Sequence, residues 1–174
     1  LPVEIFHYKG AYEPGWGTII QEAAQEIEAA RARGVDVAAD LYPYTAGGTG
    51  LEATIPSWVF DGGMDSVRAR IARPEVRRTL KEQVVTGYDG WWNIIEAAGG
   101  WDGVVLVNAR NEENAHFEGK SISTIAQEWG KDPADAAWDL VAAGQGRVMA
   151  IYHMMGEDDV AWALQRPWTS IGSD

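Results

Sequence analysis

The chain has 174 residues, 46% of them hydrophobic, which is enough for one domain core, and its formal net charge is −12. This negative charge argues against a nucleic acid or an anionic membrane surface as the partner, because phosphate groups would be repelled. Cysteine is absent, so disulfides, thiolate metal ligands and a cysteine nucleophile are excluded. No apolar run is long enough to span a bilayer and no signal-peptide pattern is present, so we expect a cytoplasmic protein.

Both ends of the sequence cut into apparent strands. The first residue is Leu1 rather than methionine, just before a strand-like segment, and the last is Asp174, directly after another. Natural domain edges usually fall in polar linkers, so we expect a piece of a longer protein.

Residues 1–54 predict a βαβ unit. Segment 3–7 ("VEIFH") has the pattern of a strand, segment 18–34 that of an amphipathic helix, and segment 35–43 ("VDVAADLYP") that of a second strand. Two strands joined by a helix form a parallel pair with a right-handed crossover. Active sites of such folds lie at the carboxyl ends of the strands, which puts His7 on the same rim as the stretch that follows the second strand.

Residues 55–147 have the texture of an inserted, mostly helical subdomain, with short helices and a segment rich in glycine and tryptophan. We interpret its six tryptophans as core packing: Trp58, Trp91, Trp92, Trp101, Trp129 and Trp138. Residues 148–174 are predicted to return to the parent sheet, with strands at 147–154 and 168–174 joined by a helix.

Three histidines and one terminal acid are the candidates for chemistry. His7 ends a strand and suits either a structural hydrogen bond or a metal site. His116 lies in a polar loop and is expected to be solvated, whereas His153 could face the same rim as His7. Asp174 follows small residues at a strand end, which suits either a general base or a plain surface acid. Met155 either lines an apolar pocket or fills the core.

The order of several sequence blocks resembles the N-acyl-D-amino acid deacylases (D-aminoacylases) of the amidohydrolase superfamily. The blocks are "HYKG" at 7–10, "GVDVAADLYPYTAGGTGL" at 34–51, "IPSW" at 55–58 and "AIYHMMGEDDVAWALQRPWTSIGSD" at 150–174. The insert matches only loosely. The resemblance implies an α/β fold: part of a metal-dependent (β/α)8 TIM-type barrel, near strands six, seven and eight, interrupted by the small subdomain.

The resemblance also implies roles for particular residues. His7 would be a zinc ligand and Asp174 the general acid/base. Four residues would bind the substrate: Lys9 and Tyr42 at the carboxylate or the scissile carbonyl, Tyr152 and Met155 at the amino-acid side chain. The substrate would be a small N-acyl-D-amino acid, hydrolysed to a carboxylic acid and a D-amino acid.

The departures from the family pattern shape what we expect of this chain. The other zinc ligands of the family have no counterpart here, and Tyr8 stands where the family often has a second histidine. Because catalytic zinc normally takes three protein ligands, we expect the isolated chain to be inactive and its open sheet edges to favour self-association. Two alternatives stay open: an amidohydrolase of another amide or cyclic imide, and a non-catalytic α/β binding module.

Overall fold

A computed structural model describes residues 1–173 of the chain. The strands are β1 (Val3–Ile5), β2 (Val37–Leu41), β3 (Gly47–Gly50), β4 (Val104–Asn108), β5 (Met149–Tyr152) and β6 (Thr169–Ile171). The helices are α1 (Ile19–Ala32), α2 (Met64–Ile71), α3 (Pro74–Thr86), α4 (Ile94–Ala97), α5 (Ile122–Trp129), α6 (Pro133–Ala143) and α7 (Glu157–Leu164).

The chain divides into two compact units. One comprises Leu1–Gly47 together with the segment from His153 onward, and the other comprises Gly48–Tyr152. We refer to them as the terminal unit and the central unit. This division is one of packing, and the predicted domain bounds of 1–54, 55–147 and 148–174 stay a prediction.

The terminal unit contains a parallel three-stranded sheet in the order β1-β2-β6. Ile5 of β1 pairs with Ala39 of β2, and Ala39 pairs on its other side with Thr169 of β6. The predicted βαβ unit is therefore confirmed, with α1 as the connection between two parallel strands.

Helix α1 forms because its apolar residues recur on one face. Ile20, Ala24 and Ile27 are buried at spacings of four and three residues, which is the repeat of a helix that packs one side against a sheet. Thr18 stands at the N-cap position, although its side chain makes no capping hydrogen bond. Gly34 adopts a φ of +86° just after the helix, a conformation that glycine takes without strain.

The central unit has a separate sheet in the order β3-β5-β4. Strand β5 runs antiparallel to β4, with Tyr152 opposite Val104 and Ala150 opposite Leu106. The prediction that a strand at 147–154 rejoins the parent sheet is therefore wrong. The strand pairs inside the central unit instead. A short apolar run predicts a strand but does not specify which sheet that strand joins.

The tryptophans of the central unit serve different purposes. Trp138 on α6 is fully buried, as predicted. Trp92 is 54% exposed, so the prediction of core packing is wrong for this residue.

Within residues 1–173, no helix has the length and apolar character needed to cross a membrane.

Candidate active site

His7 lies two residues beyond β1, at the carboxyl-terminal edge of the parallel sheet. Its φ is +56°, in the left-handed region that residues with a side chain rarely adopt. The His7 amide donates a hydrogen bond of 2.7 Å to Oδ1 of Asp40, and the next amide, that of Tyr8, donates one of 2.7 Å to the Asp40 carbonyl. The neighbouring strand therefore fixes the turn that presents the imidazole.

The His7 ring is held between aromatic neighbours. It stacks on Phe6 with a centroid separation of 3.6 Å and meets Tyr42 edge-on at 5.3 Å. Nε2 of His7 is 3.3 Å from the carbonyl oxygen of Ser173. Asp174, the predicted general base, is the next residue in the chain and lies outside the described residues.

Lys9 extends over Tyr42 on the same rim. Its Nζ donates a hydrogen bond of 3.3 Å to the His7 carbonyl and lies 4.8 Å from the centroid of the Tyr42 ring. Tyr42 itself is only 5% exposed. A cation on the outer face of a buried tyrosine is well placed to meet an anion, because the aromatic ring helps to hold the ammonium group in position.

His7, Lys9, Tyr42 and Met155 line a single small cavity in the terminal unit. The cavity volume is about 10 Å³, enough for about one water molecule. A substrate would therefore bind across the rim rather than inside the cavity. The structure brings together four of the residues that the resemblance singles out.

Two further residues of this cavity are not recognisable from the sequence. Tyr8 is buried and its hydroxyl donates to the Ile20 carbonyl; burial raises the pKa of Tyr8 to about 12, partly opposed by Arg166. Asp159 is 4% exposed, and its two carboxylate oxygens each lie 3.0 Å from the amide nitrogen of Gly17. An acidic residue in the first turn of a helix is usually explained by its favourable interaction with the helix dipole. The sequence therefore gives no sign that Asp159 is buried.

Tyr152 and the other two histidines do not contribute to this cavity. Tyr152 belongs to the central unit, is fully buried, and donates a hydrogen bond of 2.9 Å to the Gly50 carbonyl. Burial, together with the nearby Glu52 carboxylate, raises the pKa of Tyr152. His116 is exposed, as predicted, and His153 is exposed but is not among the residues that line the cavity. A fully buried ring offers no surface to a substrate, so Tyr152 is not part of the site that we propose below.

The donor set at the rim suits one metal ligand but not a complete metal centre. The half-buried His7 imidazole has the chemistry of a zinc ligand. Within residues 1–173, no three side chains of His, Cys, Asp or Glu lie close enough together to hold a metal ion. The described residues could therefore supply a single ligand to a site completed by other groups.

A second and much larger cavity lies in the central unit. Its volume is about 1040 Å³, and its walls include Phe60, Trp91, Trp92, Glu52 and Arg147. Glu52 is 8% exposed, and its Oε2 has no hydrogen-bond partner among the described residues. Trp91 and Trp92, two of the six tryptophans that sequence reasoning assigned to the core, are thus walls of this cavity.

Known proteins resemble this chain over nearly its whole length. An N-acyl-D-glutamate deacylase from Alcaligenes xylosoxydans xylosoxydans is 28% identical over 168 residues, which cover 97% of this chain and 24% of that protein. No family model matches the sequence.

Solved structures show the same relationship. A crystal structure of D-aminoacylase superposes with a TM-score of 0.56 at 26% identity and covers 100% of this chain and 26% of that protein. The N-acyl-D-glutamate deacylase of Bordetella bronchiseptica, complexed with zinc and a phosphonate inhibitor, shares the fold with a TM-score of 0.59 at 23% identity; it covers 98% of this chain and 26% of that protein.

The chain therefore spans about a quarter of the length of the relatives it matches. The relatives found by sequence and by structure agree with one another and with the sequence blocks. This α/β chain is therefore similar, over nearly its whole length, to part of the N-acyl-D-amino acid deacylases (D-aminoacylases).

Proposed function

We propose that the chain is part of a metal-dependent amidohydrolase that cleaves the amide bond of N-acyl-D-amino acids, giving a carboxylic acid and a D-amino acid. The observation that carries this proposal is that His7, Lys9, Tyr42 and Met155 line one cavity, and that the first three of them follow the carboxyl ends of the parallel strands β1 and β2. This edge is where enzymes built on parallel α/β sheets assemble their sites.

His7 would contribute one imidazole ligand to a zinc ion whose other ligands come from elsewhere in the complete protein. When bound, zinc lowers the pKa of a coordinated water and polarises an amide carbonyl. Asp174 would take the proton of the attacking water and deliver it to the leaving amine, a transfer that requires a carboxylate within hydrogen-bond reach.

Lys9 would bind the substrate carboxylate, with Tyr42 holding the ammonium group from beneath. Met155 would contact the side chain of the D-amino acid, since it borders the same cavity. Hydrolysis leaves the configuration at Cα unchanged, so selection of the D-enantiomer would depend on how this carboxylate contact orients the Cα of the substrate. Lys9 and Met155 are therefore the residues that we expect to determine binding and side-chain preference.

The exposure of the outer strands supports a sheet that continues in the complete protein as a barrel. Val3 on β1 is 46% exposed and Ile171 on β6 is 71% exposed. Parallel sheets are normally covered on both faces and paired at their edges. The same exposed edges would promote self-association of the isolated chain.

The decisive experiment is a metal-dependent hydrolysis assay on the complete protein that carries this chain. The protein would be stripped with a chelator, reloaded with zinc and given paired N-acetyl-D- and N-acetyl-L-amino acids, with release of free amine as the signal. We expect hydrolysis of D-substrates only, and only with metal. Activity on cyclic imides without activity on linear amides would instead favour a different amidohydrolase. The isolated 174-residue chain, assayed in parallel, is expected to be inactive.

A second candidate function is that of a small-molecule binding module. The observation in its favour is the cavity of about 1040 Å³ in the central unit, with its aromatic walls. A titration of intrinsic tryptophan fluorescence with aromatic carboxylates would test it, with Trp92→Ala as the variant that should lose the signal. Binding by a protein that shows no metal-dependent hydrolysis would favour this reading over the first.

A further inference from the structure

Asp40 has an unusual relation to the proposed metal ligand. It lies on β2, one residue past Ala39, which pairs with the last residue of β1. Through its side chain it accepts the His7 amide at 2.7 Å, and through its main-chain carbonyl it accepts the Tyr8 amide at 2.7 Å. One residue therefore binds both consecutive amides of the turn that carries the imidazole.

The turn held by Asp40 is costly without such support. A positive φ is unfavourable for a residue with a side chain, and His7 has a φ of +56°. The charged Oδ1 acceptor offsets this cost, because hydrogen bonds to a carboxylate are stronger than neutral ones. The direction of the His7 ring follows from the backbone conformation that this bond stabilises.

The opposite strand leaves room for the Asp40 carboxylate. A Cβ placed on Gly172, just after β6, would lie 3.0 Å from Cγ and 3.1 Å from Oδ2 of Asp40. The Gly172 amide also donates 3.0 Å to the Leu41 carbonyl, so the glycine cannot withdraw without breaking this bond. The half-buried Asp40 carboxylate thus lies between the turn after β1 and the end of β6, on the two strands that flank β2.

We infer that Asp40 is a positioning residue: its carboxylate holds His7 in the left-handed turn that directs the imidazole, and Gly172 provides the space in which that carboxylate lies. This inference rests on the proposed function, in which the His7 imidazole is a metal ligand. Asp40 acts through the backbone of His7.

The variants Asp40→Ala and Asp40→Asn separate the acceptor from the charge, because asparagine keeps an Oδ1 acceptor. In the complete protein we expect Asp40→Ala to weaken zinc binding about 10- to 100-fold, the usual effect of losing a group that orients a ligand. Asp40→Asn should recover most of this affinity. Gly172→Ala, which crowds the same carboxylate from the other strand, should weaken zinc binding in the same direction. Asp36→Ala, an exposed acid just before β2, is the control and should not change the affinity.

Zinc affinity would be measured by competition with a chelator, and amide exchange of the peptide containing His7 by hydrogen–deuterium mass spectrometry. Exchange of the peptide containing His7 should accelerate in Asp40→Ala, with the α1 peptide unchanged. This second readout does not require zinc, so a wild-type protein that binds no zinc would contradict the proposed function while Asp40 is still tested. Unchanged exchange at His7 in Asp40→Ala would overturn the inference, as would equal zinc affinities of Asp40→Ala and the wild type.

Discussion

Lys9 and Tyr42 form a cation–π pair in which Nζ lies 4.8 Å from the ring centroid, at the rim that also carries His7. The two residues are 33 positions apart in sequence, at the ends of β1 and β2. The Lys9 side chain is flexible by itself. The contact with the buried ring limits the positions of its ammonium group and so holds the positive charge in one place.

We predict that Lys9→Met raises KM for an N-acyl-D-amino acid about 10- to 100-fold with a smaller effect on kcat. Methionine keeps much of the aliphatic length but removes the cation, and a hydrogen bond to a charged group contributes roughly 1.5–3 kcal/mol. Steady-state kinetics of the complete protein would measure the change. Lys120→Met is a matched control, because Lys120 lies 5.1 Å from the Phe117 ring in the central unit. Equal effects of the two substitutions would contradict the role given to Lys9.

His116 provides a matched control for His7, because the two histidines have similar aromatic neighbours. Each contacts an adjacent phenylalanine ring, His7 with Phe6 at 3.6 Å and His116 with Phe117 at 3.9 Å. We predict that His7→Gln reduces zinc affinity at least about 100-fold, more than the loss of an outer partner does. Zinc content after dialysis against a chelator would report the change. His116→Gln should retain the metal; retention by both variants would rule out His7 as a ligand.

Met155 and Met154 are neighbours with different surroundings. Met155 is 3% exposed and borders the His7 cavity, whereas Met154 is 7% exposed and is not among its lining residues. We predict that Met155→Ala shifts the preference of the enzyme towards D-amino acids with larger side chains, because it enlarges the rim. Both alanine variants should lose stability by about 2–5 kcal/mol, as buried methionines do. Ratios of kcat/KM for small and large substrates would show the shift, and the same shift in Met154→Ala would contradict it.

The βαβ unit could be predicted from sequence because periodicity alone determines it. The apolar repeat of Ile20, Ala24 and Ile27 specifies the helix face, and the buried alternation of Val37, Ala39 and Leu41 specifies a central strand. The rim follows from the direction of parallel strands. The partner of the strand at residues 149–152 could not be predicted, since a run of four residues carries no information about the strand it pairs with. In the structure it pairs with β4.

Contacts between residues that are distant in sequence limit what the sequence can predict about the site. Asp40 reads as an ordinary polar residue in a strand, and only the 2.7 Å contact with the His7 amide reveals its relation to the imidazole. Trp92 reads as core, yet it is 54% exposed on the wall of a cavity. Such assignments depend on contacts between residues far apart in the chain, which local patterns do not encode.

Tyr8 gives the final prediction, which concerns pH. Burial raises the pKa of Tyr8 to about 12, above the usual value of 10.0, so the folded state favours the neutral phenol. The resulting stability is fully present below pH 10 and is lost as the pH rises towards 12. A difference of about two units between the folded and the usual pKa corresponds to a loss of about 2–3 kcal/mol in the free energy of unfolding.

Tyr8→Phe should therefore lower stability at neutral pH by about 1 kcal/mol, because the hydrogen bond to the Ile20 carbonyl is lost. Above pH 10 the variant should lose stability less steeply than the wild type. Burial also raises the pKa of Tyr152, so the informative quantity is the difference between the wild-type and Tyr8→Phe curves. Urea unfolding followed by circular dichroism at a series of alkaline pH values would give that difference. Tyr44→Phe removes a hydroxyl from a ring that is 65% exposed and serves as the control. Parallel curves for wild type and Tyr8→Phe would contradict the coupling of Tyr8 ionisation to folding.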